Sequence, residues 1–210
     1  KTIKNKDIKI FKLDAGIYRS LNYGIKKSKG NVIGTLHSDD CFFDEKVLSN
    51  IINVFKNKNV DLCYGNIAFS KKKDLTIIKR IWIEKKDNFK NRYWTPPHTA
   101  TFITKKIFKK LNYNKKYIIS SDTDFLIRVL KLKNIKLYYL PRFISIMRLG
   151  GLSTNLLFIF KKIFEDYKIF KKNKLKLTDL LLKKSSKIKQ FKIINNHIKN
   201  SFIKKINQYS

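Results

Sequence analysis

Two adjacent carboxylates, Asp39 and Asp40, follow the short apolar run Val32-Ile33-Gly34-Thr35-Leu36. Paired carboxylate oxygens can hold a hard divalent cation, and that cation can hold a substrate diphosphate. The run has strand character, and Asp is depleted in strands and favoured in turns, so the strand must stop there. An acidic turn of this kind also closes strands that bind nothing. A third carboxylate, Asp122, opens the helical stripe Phe125, Leu126, Val129 and Leu130. An Asp at such a place either caps the helix or offers a base to a substrate. His98 follows Pro96-Pro97 in an irregular stretch over 87–99, whose aromatic and Pro content suits a pocket wall. A lone His of this kind is more often structural than catalytic.

These side chains need a scaffold. Asp44 reads as an N-cap, with Val47, Leu48, Ile51, Ile52, Val54 and Phe55 at helical spacing behind it. Strand, acidic turn and helix therefore follow one another, and in open α/β sheets ligands bind outside the carboxyl ends of strands. Upstream, Ile8 to Leu13 alternates apolar and Lys residues, predicting a half-buried strand. A helix is expected over 17–28, with Gly30 as its stop. Val60 to Tyr64 reads as a strand ended by Gly65, and 66–86 as a strand pair turning at 71–73. Ile135 to Leu140 reads as a strand closed by Pro141, and 144–148 alternates again. This order predicts an α/β fold with a mostly parallel sheet and right-handed crossovers.

The formal net charge is +33, carried by 48 Lys and Arg of which only Arg19, Arg80, Arg92, Arg128, Arg142 and Arg148 are Arg. Base readout and phosphate forks favour Arg, and no helix-turn-helix, zinc-finger or RNA-binding signature occurs, so no specific nucleic-acid partner is expected. Two Cys in 210 residues make no disulfide scaffold. No apolar run is long enough to predict a membrane-spanning helix. From about Ser153 the chain turns Lys-rich, with Leu156, Ile159, Phe160, Ile163, Phe164, Tyr167 and Phe170 at helical spacing. Such a stripe packs on a neighbouring domain or lies on an anionic membrane. A Lys-rich module binding anionic membrane or nucleic acid, without catalysis, is the alternative to an enzyme.

Several segments share the order and spacing of one known family. They are Asp14-Ala15-Gly16-Ile17-Tyr18, Leu21-Asn22-Tyr23-Gly24-Ile25, Lys29-Gly30, Ser38-Asp39-Asp40 and Asp61-Leu62-Cys63-Tyr64-Gly65-Asn66. Ser121-Asp122-Thr123-Asp124, with Arg128 behind it, and Arg148-Leu149-Gly150-Gly151-Leu152-Ser153 continue the series. Together, over about residues 5–155, they resemble family 2 glycosyltransferases of the GT-A fold, notably those of bacterial surface-polysaccharide clusters. The resemblance implies a GT-A (Rossmann-like) sheet flanked by helices over 1–152 and a basic amphipathic helical tail over 153–210. It implies inverting transfer, with Asp122 as catalytic base and Mg²⁺ or Mn²⁺ held by Asp39, with Asp40 beside it. Asp14 and Asn22 would lie along the nucleotide-sugar site, and His98, Arg148, Gly150 and Gly151 near substrate. His37 stands at the first position of the family's Asp-x-Asp, so Asp39 carries over, and Thr99 stands where Gln is common. The implied partners are a nucleotide-sugar donor and a saccharide or lipid-linked saccharide acceptor. The implied place is the cytoplasm, peripherally at the inner face of the cell membrane. The family begins with an apolar strand and loop that grip the nucleotide base, upstream of Lys1. A partial domain, poorly soluble or weakly active, is therefore expected, and a catalytically degenerate transferase fragment is the further alternative.

Overall fold

The computed structural model describes residues 8–71, 74–91, 93–150 and 156–189. The chain first forms α1 (Ile17–Lys27), β1 (Val32–Gly34), β2 (Cys41–Phe42) and α2 (Val47–Asn57). The hairpin β3 (Leu62–Lys71) and β4 (Asp74–Trp82) follows, with 3₁₀ turns at Lys86–Lys90 and His98–Ala100. Then come β5 (Thr101–Thr104), α3 (Lys105–Phe108), α4 (Ser121–Leu130), β6 (Leu137–Arg148), α5 (Leu156–Lys172) and α6 (Leu177–Lys189).

β3 is buried from Leu62 to Ser70 because both its faces are covered. Leu62 and Tyr64 pack with Tyr18, Ile25, Phe125 and Leu126, from α1 and α4. Cys63, Ile67 and Phe69 point the other way, against Val47, Ile51 and Val54 of α2. Phe125 is fully buried, with Phe108 stacked at 5.0 Å between centroids and Tyr113 at 4.6 Å. Phe125→Ala is expected to lower the unfolding free energy by about 3–5 kcal/mol, read by urea denaturation. A loss under about 1 kcal/mol would mean that this ring cluster is not the centre of the core.

The α/β class stands, but the sheet is mixed rather than mostly parallel. Its order is β1-β5-β3-β6-β2, with β4 on β3. Among the described pairings only β3–β6 is parallel. β1, β3 and β6 do run in one sense, as the crossover argument requires. β5 then enters antiparallel between β1 and β3, and the β4 and β2 partners are antiparallel too.

Other expectations shift for local reasons. Residues 8–13 form no strand, and Ile10 is 85% exposed. Alternation becomes a strand only where a neighbour supplies the ladder, and no described strand pairs there. Gly65 does not end β3; it lets β6 approach. A Cβ at Gly65 would lie 2.7 Å from Ile144 Cδ1 and 2.8 Å from the Arg142 carbonyl. β6 likewise runs through Pro141, at the irregularity where the ladder passes from Tyr139 to Phe143, so the missing N–H removes no pairing bond. The α2 N-cap is Lys46, whose N–H donates to Asp44 Oδ1 at 2.9 Å. Asp44 thus acts two residues ahead of its expected place.

Candidate active site

The carboxyl end of β1 leads into Thr35, His37, Asp39 and Asp40, as expected for a strand-end site. Asp39 is exposed. Asp40 is half-buried, and its Oδ1 accepts the Arg148 N–H at 3.3 Å. Its Oδ2 is buried without a hydrogen-bond partner. Burial raises the Asp40 pKa above the usual carboxylate value; the Arg148 N–H opposes this, and Asp39 adds to it. Gly150, with φ 102°, turns the chain just beyond Arg148. Gly151 lies outside the described residues.

His98 connects this turn to the helical side of the site. Its ring lies 5.9 Å from that of His37. Thr35 Oγ1 is 3.3 Å, and the Tyr113 hydroxyl 2.7 Å, from His98 Nε2. Burial lowers the His98 pKa to about 4, against a smaller opposing pull from Asp122, so the imidazole is neutral near pH 7. Burial, and then the Asp122 charge, push the Tyr113 hydroxyl above its usual value, so it stays protonated. The arrangement that satisfies both groups has Tyr113 donating to Nε2, with the imidazole proton on Nδ1.

Asp122 sits in the first turn of α4. Its Oδ1 accepts from the Tyr18 hydroxyl at 3.3 Å, and the same hydroxyl reaches the Ile119 carbonyl at 2.5 Å. Burial alone would raise the Asp122 pKa. Lys162, His98, the Thr123 N–H and Lys183 outweigh it and hold the carboxyl below its usual value. The helix N-terminus favours the anion as well. The lowered pKa keeps Asp122 ionised near pH 7. Arg128 takes no part in this; it pairs with the buried Asp124 at 2.7 Å.

The remaining candidates divide. Asp14 is exposed ahead of α1. Both amide atoms of Asn22 are engaged with the Tyr113 backbone: Nδ2 donates to its carbonyl at 2.9 Å, and Oδ1 accepts its N–H at 3.0 Å. In this state Asn22 holds the Tyr113 loop. Tyr18, Tyr113, Lys162 and Glu165 were not singled out for the site from sequence. Tyr18 lies in the Asp14–Tyr18 segment that carries the resemblance but was given no role there, and Tyr113 had no distinguishing signal among 10 Tyr. Glu165 could have been noticed, because it interrupts the apolar run of α5. Its carboxylate accepts the N–H groups of Ile118, Ile119 and Ser120 at 2.8, 2.9 and 2.9 Å. Lys162, one turn back, donates to Ser120 Oγ at 3.2 Å. The loop that delivers Asp122 is thus tied to α5.

The family model described as glycosyl transferase family 2 matches residues 1–130. The chain belongs to this family. No curated protein matches it. A solved structure of S. aureus TarS 1-349 with UDP matches at a TM-score of 0.51 and 11% identity, covering 76% of this chain and 45% of that one. Another structure of S. aureus TarS 1-349 gives 0.48 and 13%, covering 63% and 40%. The chain therefore spans less than half the length of these structures. At such identity the first likeness speaks to the fold, which agrees with the family.

Proposed function

We propose that the chain transfers a sugar from a nucleoside-diphosphate donor to an acceptor hydroxyl, with inversion, in surface-polysaccharide synthesis. One observation carries the reading: family membership falls on a chain whose Asp122 lies beside His98, with its carboxyl held below the usual value. Asp122 takes the proton from the acceptor hydroxyl as its oxygen attacks the anomeric carbon. The Tyr18 hydroxyl orients the carboxylate, and Lys162 and Lys183 stabilise its charge before the proton arrives. Neutral His98 contacts Thr35 just ahead of the acidic turn, and the Arg148 N–H bonds Asp40 within it, so these residues and Gly150 are the ones proposed to border the substrate. Asp14 and Asn22 border the donor side; Asn22 does so by fixing Tyr113.

Among the described residues no three His, Cys, Asp or Glu side chains converge into a metal cage. Mg²⁺ does not need one, since one or two carboxylates plus substrate phosphates usually hold it. Exposed Asp39 and the partnerless Asp40 Oδ2 fit that requirement, and they would hold Mg²⁺ or Mn²⁺ together with the diphosphate. Such an ion offsets the charge of the departing nucleoside diphosphate. The UDP in the TarS structure makes UDP-sugars the first donors to try. The acceptor is a saccharide or lipid-linked saccharide. The place of action is the cytoplasm, at the inner membrane face.

The test is turnover with a panel of nucleotide sugars, with Mn²⁺, Mg²⁺ or chelator. Metal-dependent transfer should appear, and Asp39→Ala should reduce it by about 100-fold or more. Transfer unaffected by chelator and by Asp39→Ala would remove the metal from the proposal. No donor binding and no turnover with any donor would overturn the transferase reading.

A further inference from the structure

α5 and α6 present two faces. The inner face packs Ile169, Phe170, Leu175 and Leu180 on Ile127 of α4. Most of the apolar stripe seen in the sequence is not on that face. Phe160 is 68% exposed, Phe164 57%, Leu177 58% and Leu181 60%. With Ile163 and Tyr167 these side chains line an open groove of about 340 Å³ between the two helices. No described part of the chain covers it. A contiguous exposed apolar surface of this kind marks an interaction site.

Charge selects the occupant. Residues 156–189 hold eleven Lys against Glu165, Asp166 and Asp179. Glu165 and Asp166 are buried on the inner side. Asp179 is half-buried, and its Oδ2 accepts the Lys176 N–H at 2.8 Å. The outer face is therefore apolar and cationic with little acid to offset it. Lys184 lines the groove, and Lys168 Nζ lies 4.1 Å from the Phe164 ring centroid. A second copy of this chain would set cation against cation. A bilayer with anionic headgroups accepts the apolar side chains at its acyl boundary and the Lys heads among its phosphates.

We propose that the outer face of α5 and α6 docks on an anionic lipid bilayer, with Phe160, Phe164, Leu177 and Leu181 as the inserted side chains. No described helix is long and apolar enough to cross a membrane, so the contact is peripheral. Because Lys162 and Glu165 join α5 to the Asp122 loop, docking sets that loop close to the lipid surface, where a lipid-linked acceptor would present its sugar. This last step alone rests on the transferase reading.

The test is co-sedimentation of the full chain with vesicles of phosphatidylglycerol and phosphatidylcholine, against phosphatidylcholine alone. Turnover is not read, so failure here and failure of the transferase reading are separate results. Binding should require the anionic lipid and weaken with salt. The double variant Phe160→Glu/Leu181→Glu should partition at least about tenfold more weakly, with an unchanged circular-dichroism melt. As a second measurement, Phe160→Trp fluorescence should shift to the blue on addition of anionic vesicles. Equal partitioning of the wild type and the double variant, equal binding to neutral vesicles, or no shift overturns the proposal. So does a concentration-dependent dimer that the double variant dissolves, which would give the face to a second copy.

Discussion

Asp122→Asn should reduce turnover by about 10²–10⁴-fold, the usual contribution of a positioned general base. Asn keeps the size of the side chain and an oxygen for the Tyr18 hydroxyl, so the fold and donor affinity should change little. The loss should therefore fall on kcat and leave the donor KM near its wild-type value. Retention of more than about a tenth of the wild-type rate would assign the proton to another group. The pH dependence gives a second check. The folded pKa of Asp122 is depressed, so this carboxylate stays ionised as the pH falls to about 3.9, where an ordinary Asp protonates. The stability linked to Asp122 is present above its unfolded value and lost as the pH falls through the lower folded value. His98 acts earlier. Its pKa is lowered from 6.5 to about 4, so the unfolded chain binds this proton first, and stability declines as the pH drops through that window. Inactivation near pH 5 should thus coincide with a falling Tm, whereas protonation of the base removes activity at lower pH.

The strand-end acidic turn was legible because its signals are local. An apolar run, two Asp and a helical stripe behind them lie within some twenty residues, and each follows from backbone preference. The central strand was legible only in pieces. Gly65 and Pro141 are ordinary stop signals, yet both lie inside long strands. Each is tolerated because of what the opposite strand does there, and single-strand patterning cannot carry that information. The inserted β5 is a similar case. Four residues, Thr101–Thr104, reverse the local sense of the sheet, and nothing in their composition states which two strands they will separate.

The supporting contacts were the least legible, because they join residues far apart in the chain. Tyr18 meets Asp122 across 104 positions, and Asn22 meets Tyr113 across 91. The helical tail shows the same limit differently. The periodicity from Leu156 to Phe170 coincides with α5, while residues 153–155 and 190–210 of the expected tail lie outside the described residues, and most of the stripe stays exposed in the structure. The buried inner face instead carries Glu165, Asp166, Ile169 and Phe170. A search for apolar residues passes over a buried acid. Burying a carboxylate is costly unless hydrogen bonds repay it, so its partners mark what the interface secures.

Glu165 should therefore matter more than its distance in sequence from any motif suggests. Three consecutive N–H groups, those of Ile118, Ile119 and Ser120, converge on its two oxygens just before α4 begins. Ser120 is the N-cap of α4 but makes no side-chain cap bond, so Glu165 satisfies backbone donors at the entry to that helix. Bonds to a charged acceptor are worth about 1.5–3 kcal/mol each, and buried donors left without partners add their own penalty. Glu165→Ala should lower the unfolding free energy by about 2–4 kcal/mol on that basis. Its effect on transfer should go further than stability. A shift of about 1 Å in a reacting group can cost about 100-fold in rate, and the freed loop carries Asp122 two residues later. At a temperature where the variant remains folded, kcat should fall about 10–100-fold while the donor KM stays within a few-fold. Glu165→Gln keeps one acceptor oxygen and the side-chain volume, so it should recover part of both losses. A variant with a lowered Tm but an unchanged kcat would make Glu165 a packing residue only. An unchanged Tm and kcat in Glu165→Ala would mean that water satisfies the three N–H groups equally well, and that α5 does not hold the base in place.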